Sequence, residues 1–517
     1  MAVAGSCGSC VRVTCLMLPP DDLAGPDPAP APDAVAVIPA PAIIELCLQP
    51  EDLCSLLRLP GLVRIGRAAG VRTLWYDTGT GAVSEAGFSL AETGPVWRME
   101  ALRPAVEQPW PPLSPAPLLA EGESAVALGY AGRLTPIAGL EGLRRRFSLE
   151  TGTALFLTVL DAELRGVAAS ERACRVWLEG DRTALAEVAC RLAAQLRLTV
   201  PLASLASEAA AVASGQAVSA RHLGGPTLLR GHSLSDSIAL ILGQLLDVIL
   251  HWADPAAAGL SAAPVHQMRV AIRRLRSALS IFGPALSCPA LTEAVVGLKE
   301  LASRLGYARD WDVFLAGTGS AMSQNLPADR RIKALLAACA RRRALAYAEL
   351  RAHLAAPAFR VLQVQLGCAA TLRPWESAAA GHGLHQDTAA FATTVLTRRW
   401  KRVRRAGRGM AALDAPALHE LRKDCKRLRY AAEFFQPFFP EKAGNRFLKH
   451  LTALQEALGV LNDGTVAAGL MAQLGRAERG YAAGLVQGFV LGGTQSSRAK
   501  TINAWAHFRG QRAFWLK

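Results

Sequence analysis

Val265–Leu279 reads VHQMRVAIRRLRSAL. On a helix, at 100° per residue, His266, Arg269, Arg273 and Arg276 fall within an arc of roughly 80°. Arg274 stands on the flank. Met268, Ile272, Leu275, Ala278, Leu279 and Phe282 occupy the opposite side, so one face is made for burial and the other carries a row of cations. Arg269 to Arg276 spans roughly 10 Å at 1.5 Å per residue. A single carboxylate or phosphate does not need a row that long. An extended polyanion does.

The pattern occurs twice. LHELRKDCKRLRYAAEFF, from Leu418, places His419, Arg422, Lys426, Arg427, Leu428 and Arg429 at the offsets of His266, Arg269, Arg273, Arg274, Leu275 and Arg276. Leu305-Gly306 with Asp310 returns as Leu458-Gly459 with Asp463, each 39 residues after its own histidine. The chain therefore carries an internal duplication shifted by 153 residues. Two basic helices so related can face one another across a pseudo-twofold axis.

Charge is divided unequally between the two parts of the chain. Residues 1–224 hold 18 Arg, no Lys and 23 Asp plus Glu, and residues 225–517 hold 39 Lys plus Arg against 19 acids. The overall +15 belongs to the C-terminal part, which points there for a polyanionic partner. Eleven cysteines without framework spacing, and no evident cleavable signal, suit reduced thiols in a cytoplasmic protein. Cys7 and Cys10 have zinc-ligand spacing but no second pair. The apolar run Ile238–Leu250 is shorter than the ~20 residues a membrane span requires and contains Gln244 and Asp247.

Residues 1–40 are rich in Pro, Ala and Asp and read as a disordered tail. Strand-like runs follow at Ile43–Leu48, Arg72–Tyr76, Val96–Leu102, Arg144–Leu149, Ala154–Leu160 and Cys174–Leu178, with an amphipathic helix at Thr183–Leu196. Residues 41–212 are thus an α+β domain with an antiparallel sheet. After a Gly/Ala/Ser linker at 213–229, strand signals give way to amphipathic helices. They run to the C-terminus, with examples at Ser233–Trp252, Val265–Phe282, Leu291–Leu305, Arg330–Leu354, Thr388–Arg405, Ala417–Phe435 and Asn445–Leu458. The second domain, 230–517, is expected to be all-α, built from two related bundles at about 230–382 and 383–517.

The first domain resembles the CYTH family of triphosphate tunnel enzymes through IIELCL at 43–48, LWYDT at 74–78, LRRRFSL at 143–149, LFLTVLD at 155–161 and LEGDRTALAEVACRLA at 178–193. The resemblance implies an antiparallel β-barrel that encloses triphosphate and a divalent metal. The family's Glu-x-Glu-x-Lys strand is replaced here by Ile43, Glu45 and Cys47. Expected acids on a later strand fall on Cys174 and Val176, a Ser-Lys step on Ser204-Leu205, and expected arginines in Leu90–Thr93. Glu45, Arg144, Arg146 and Asp161 remain as a vestigial tunnel. Oxygen ligands and fixed positive charge are what such a site needs, so this domain is read as a pseudoenzyme with no metal site. Mg²⁺ or Mn²⁺ would enter only under the alternative, a metal-dependent triphosphatase or polyphosphatase.

The second domain resembles the CHAD family, α-helical modules that bind inorganic polyphosphate. The resemblance rests on the two H-x-x-R-x-x-x-[RK]-R-L-R elements, LGYARDWDVF at 305–314, LQEALGVLNDGT at 454–465 and the terminal FW at 514–515. It implies a polyphosphate site made by His266, Arg269, Arg273, Arg274, Arg276, Arg309, His419, Arg422, Lys426, Arg427 and Arg429. Arg398, Lys401, Arg402 and Arg405 share one helical face and extend the surface. A solvated helix face usually mixes Glu with Lys. The first row interleaves no acid, and Glu420 and Asp424 fall outside the second arc, so a bound anion is the better reading. Asp310, Asp312 and Asp463 are expected to orient guanidinium groups. The expected partner is polyphosphate, in the cytoplasm and at polyphosphate granules, with no cofactor and no membrane and with room for self-association. Nucleic acid is expected to bind only non-specifically, because few aromatics lie among the basic residues to stack bases.

Overall fold

The computed structural model describes residues 41–516 except 105–109, 123–132, 151–153, 167–168, 284–285, 287, 379–383 and 476–479, and omits the side chains of 290, 460–465, 491 and 493–497. The expected tail at 1–40, with Cys7 and Cys10, lies outside the described residues.

Nine antiparallel strands form one sheet: β1 (Ala42–Leu48), β2 (Leu62–Thr78), β3 (Phe88–Thr93), β4 (Val96–Ala101), β5 (Leu118–Glu121), β6 (Leu134–Glu150), β7 (Ala154–Gly166), β8 (Ser170–Gly180) and β9 (Leu198–Thr199). Their order is β5-β4-β3-β2-β6-β7-β8-β1-β9, with no ladder joining the two edges among the described strands. Alternation sorts the side chains of β1 onto two faces. Ile44, Leu46 and Leu48 join the large core shared with the helices, and Ile43, Glu45 and Cys47 point to the other face.

Two helices of ten or more residues accompany the sheet among the described residues, α1 (Arg182–Gln195) and α2 (Leu205–Ser214). Asp181 caps α1 by accepting from the Thr183 and Ala184 amides, and Ser204 caps α2 through the Ser207 amide. Among the described residues nine longer helices follow: α3 (Leu234–Ala258), α4 (Ala263–Phe282), α5 (Pro289–Phe314), α6 (Arg330–Ala355), α7 (Pro357–Leu372), α8 (Thr388–Ala406), α9 (Ala415–Phe435), α10 (Glu441–Ala472) and α11 (Tyr481–Arg509). The starts of α3, α4, α5 and α6 recur as those of α8, α9, α10 and α11 after 151–154 residues, so the duplication seen in the basic motif extends to both bundles.

The two bundles meet at equivalent residues. Phe282 at the end of α4 and Phe435 at the end of α9 stack edge-on at 6.0 Å, with Phe391 beside both. Ser237 and Thr388, near the starts of α3 and α8, hydrogen-bond at 2.9 Å. The terminal Phe514 and Trp515 pack on Phe447, and the Trp515 indole donates to the Thr397 hydroxyl, which closes the second bundle.

The sheet does not stand apart from the helices. One core runs from Ile44 to Trp515, and polar bonds cross it from Leu113 to Thr371, Val200 to Gln363 and Arg182 to Leu372. α3 is longer than the Ile238–Leu250 run suggests and passes a membrane-span test of length and composition. Its most apolar window is 78% buried inside the protein, so packing accounts for its composition.

Candidate functional site

The two cationic rows converge. A cleft of about 500 Å³ is lined by His266, Arg269 and Arg273 of α4, Arg309 and Asp310 of α5, and Arg422 and Lys426 of α9. Val270, Val313, Phe314, Val466, Ala467 and Leu470 supply apolar wall, and Gly317 and Thr318 complete it. Among the described residues, five fixed or near-fixed cations and one imidazole therefore share a space with a single acid.

The seat of Arg269 accounts for the glycine of the first Leu-Gly. A methyl group at Gly306 would lie 2.6 Å from an Arg269 guanidinium nitrogen, and one at Gly459 would lie 3.6 Å from Arg422. Glycine at 306 lets the Arg269 guanidinium lie against the neighbouring helix, whereas a methyl group at 459 would make ordinary contact with Arg422. Arg273 lies over the Tyr430 ring at 5.3 Å, and Arg429 approaches the same ring at 5.3 Å. The Nε groups of Arg273 and Arg422 are buried without an acceptor among the described residues.

Crowding of like charge shows in the protonation equilibria. Burial, then Arg422, Arg273, Arg269 and Arg429, pushes the Lys426 ammonium down to about 8. Burial, then Arg309, Arg273 and Arg269, holds the His266 imidazole below its usual range. Burial is also the first cause that lowers Arg273. Asp310 is raised by burial, against the pull of Arg269 and Arg309. An anion in the cleft relieves every one of these costs except that of Asp310.

The remaining predicted cations lie elsewhere. Arg274 and Arg429 both reach Glu433, at 3.6 and 3.3 Å, and Arg427 is held by buried Asp424 at 2.9 Å. Arg276 and His419 are exposed and do not line the cleft. Asp312 does orient a guanidinium, that of Arg343 at 2.7 Å with Tyr347 at 2.8 Å, but away from the cleft. The Asp463 side chain lies outside the described residues.

Arg398, Lys401, Arg402 and Arg405 share a face, as expected, yet they line a different basin. It measures about 910 Å³ and includes Arg404, Arg408 and Arg509. No lining residue is common to basin and cleft, which corrects the expectation of one continuous surface. Asp424, on the far side of α9 from Lys426, binds Arg402 at 2.8 Å as well as Arg427.

On the sheet, register decides which residues face the side where the resemblance expects a tunnel. Ile43 pairs with Glu179, Glu45 with Trp177 and Cys47 with Arg175, so β8 presents odd-numbered side chains there. Cys174 and Val176 belong to the opposite, helix-packed face, a one-residue correction to the sequence reading. Asp161 is corrected likewise: it pairs with Cys174 and is held by Arg172 at 2.9 Å and Arg145 at 3.9 Å. Arg144 and Arg146 do lie on the concave side. Arg144 lines a cavity of about 390 Å³, and Arg146 is tied to Glu179 at 3.1 Å.

Arg175 is the residue that sequence reading missed. It is 3% exposed and pairs with Glu45 at 3.0 Å and with Glu208 of α2 at 2.6 Å. Burial raises the Glu45 carboxyl, and Arg175 and Arg221 pull it back. Ala206, Ala209 and Val212 of α2 pack against Leu160, Ala162 and Leu164 on the same face. With Glu45 committed to Arg175, and Ile43 and Cys47 beside it, these residues do not fit a divalent metal. Among the described residues no group of three or more His, Cys, Asp or Glu is placed to hold one.

Comparison with known proteins bears on the helical half. The CHAD domain family model matches residues 240–472. No curated protein matches the chain. Among solved structures, the CHAD domain from the plant Ricinus communis is 30% identical, with a TM-score of 0.50 over 56% of this chain and 97% of that one. PptA from Streptomyces chartreusis is 15% identical, at 0.40 over 53% and 100%. HpAC1 from Hippeastrum, described as a putative adenylyl cyclase with a dominant triphosphatase activity, is 14% identical, at 0.24 over 34% and 97%.

Proposed function

The chain belongs to the CHAD-domain family, and from that premise we propose that it binds inorganic polyphosphate in the cleft between α4, α5 and α9. The observation that carries this reading is the meeting of His266, Arg269, Arg273, Arg309, Arg422 and Lys426 around one space with Asp310 as its sole acid among the described residues. Arg269 and Arg422 offer flat guanidinium forks to phosphate oxygens, and Lys426 offers a point charge. A linear polyphosphate suits two facing rows because successive phosphates meet successive cations. Removal of Arg269 and Arg422 together should weaken polyphosphate binding about a hundredfold, at about 1.5 kcal/mol for each charge-assisted contact. Unchanged affinity at fixed salt would refute the assignment. Duplex DNA should compete weakly, through charge alone.

We read the sheet domain as a CYTH-like tunnel turned to scaffolding rather than hydrolysis. Support comes from the Glu45–Arg175–Glu208 cluster and from α2 packed in the concave face. Tripolyphosphate with Mg²⁺ or Mn²⁺ should be left intact. Hydrolysis that Glu45→Gln abolishes would restore the enzymatic alternative. In the cell this reading places the protein in the cytoplasm, at polyphosphate deposits.

A further inference from the structure

A basin lies at the C-terminal ends of α8 and α11. Seven cationic side chains line it, and no acid among the described residues does. Helix dipoles explain part of this: Arg404, Arg405 and Arg509 sit in last turns, where cations are favoured. They do not explain Arg398, Lys401 and Arg402, which stand one to two turns earlier. Arg398, Lys401, Arg405, Arg408 and Arg509 form no ion pair with a described residue, so their repulsion is unrelieved.

The basin is also built rather than incidental. Gly407 packs so closely on the Trp505 indole that a methyl group there would lie 2.2 Å from the ring, which locks the end of α8 to α11. Arg498 of α11 donates to the Ala411 and Leu413 carbonyls at 3.1 and 2.9 Å and pins the loop that forms the rim. Buried Asp424 fixes Arg402 from behind, and the Trp400 ring supports Arg404 at 4.7 Å. The lining charges are thus held on two rigid helix ends.

We propose that this basin is a second anion site, independent of the cleft, which takes a compact phosphate-rich anion. Its concave shape suits a short oligophosphate better than a flat nucleic-acid backbone, and its aromatic rings support arginines rather than stand free to stack bases. The ligand is either a free oligophosphate or a second stretch of long-chain polyphosphate.

Calorimetric titration of the full chain with sodium tripolyphosphate, at one fixed ionic strength, tests this. Two sites are expected. Arg398→Ala/Lys401→Ala/Arg405→Ala should leave one, and Arg269→Ala/Arg422→Ala should leave the other. A basin variant with wild-type stoichiometry and affinity would overturn the proposal, whatever the cleft variant does. Loss of only the basin site, with the cleft variant unaffected, would sink the cleft assignment and keep this one. Lys299→Ala/Arg330→Ala/Lys333→Ala removes equal charge elsewhere and should retain both sites. If that control loses as much as the basin variant, attraction is diffuse and the basin is no site. Long-chain polyphosphate separates the sources: a tenfold or greater loss in the basin variant means one chain occupies both sites, and unchanged long-chain affinity assigns the basin to a separate small anion.

Discussion

The concave face of the sheet and the cleft between α4 and α9 are both lined by charge, yet they are organised in opposite ways. On the sheet, buried Arg175 has Glu45 and Glu208 within hydrogen-bond distance, and Arg146 has Glu179. In the cleft, Arg269, Arg273, Arg309, Arg422 and Lys426 share Asp310 alone among the described acids, and Lys426 is pushed down to about 8. Charge satisfied from within holds a fold together. Charge left unsatisfied is available to a ligand, and the chain accepts its cost only where binding can offset it.

The contrast is broken most forcefully by exchanging its terms. Arg269→Ala/Arg422→Ala should lower polyphosphate affinity about a hundredfold, whereas Arg98→Ala/Arg144→Ala on the concave face should leave it unchanged in the same titration. Glu45→Gln should do the reverse. It removes one of two carboxylates from Arg175, so urea unfolding should show a loss of about 2 kcal/mol, below the usual cost of breaking a buried pair because Glu208 remains. Polyphosphate affinity should stay within twofold.

Lys426 gives the comparison a pH dependence. Affinity should fall about tenfold between about pH 7 and about pH 10 as the ammonium deprotonates, and Lys426→Arg should flatten that fall. Without ligand the sign for stability is opposite. The unfolded chain keeps this proton up to its ordinary pKa of about 10.4, so Lys426 adds stability as pH rises from about 8 towards that value. Lys426→Met should remove this rise from the pH–melting curve. The smallest effect concerns the Arg269 seat: Gly306→Ala, at 2.6 Å from the guanidinium, should cost a few-fold in affinity, whereas Gly459→Ala, with an ordinary clearance of 3.6 Å, should leave it unchanged.

The basic rows and their 153-residue shift were legible because each is a strict local pattern, and the shift is why both bundles could be read from one helix. Helices α4, α6, α8 and α9 begin within two residues of their expected starts. α7 and α11 were not anticipated. α7 is apolar on nearly every side because it is wedged between sheet and bundle, and α11 is interrupted by glycines that hide its period. Which arginines meet was not legible, since 100° per residue orders side chains on one helix but not the angle between two. The Arg175 pairing was missed for a related reason. Alternation along β8 is plain, but its phase depends on the ladder with β1.

The most direct test of the central claim is the salt dependence of polyphosphate binding. Cations that neutralise phosphates release counterions, so the logarithm of affinity falls linearly with the logarithm of salt concentration, by about 0.7 to 1 for each contact. Replacing Arg269 and Arg422 should make the slope shallower by about 1.4 to 2 and leave the slopes of Arg98→Ala/Arg144→Ala and the wild type equal. A slope unchanged by the loss of Arg269 and Arg422 would mean that phosphate does not lie between α4 and α9.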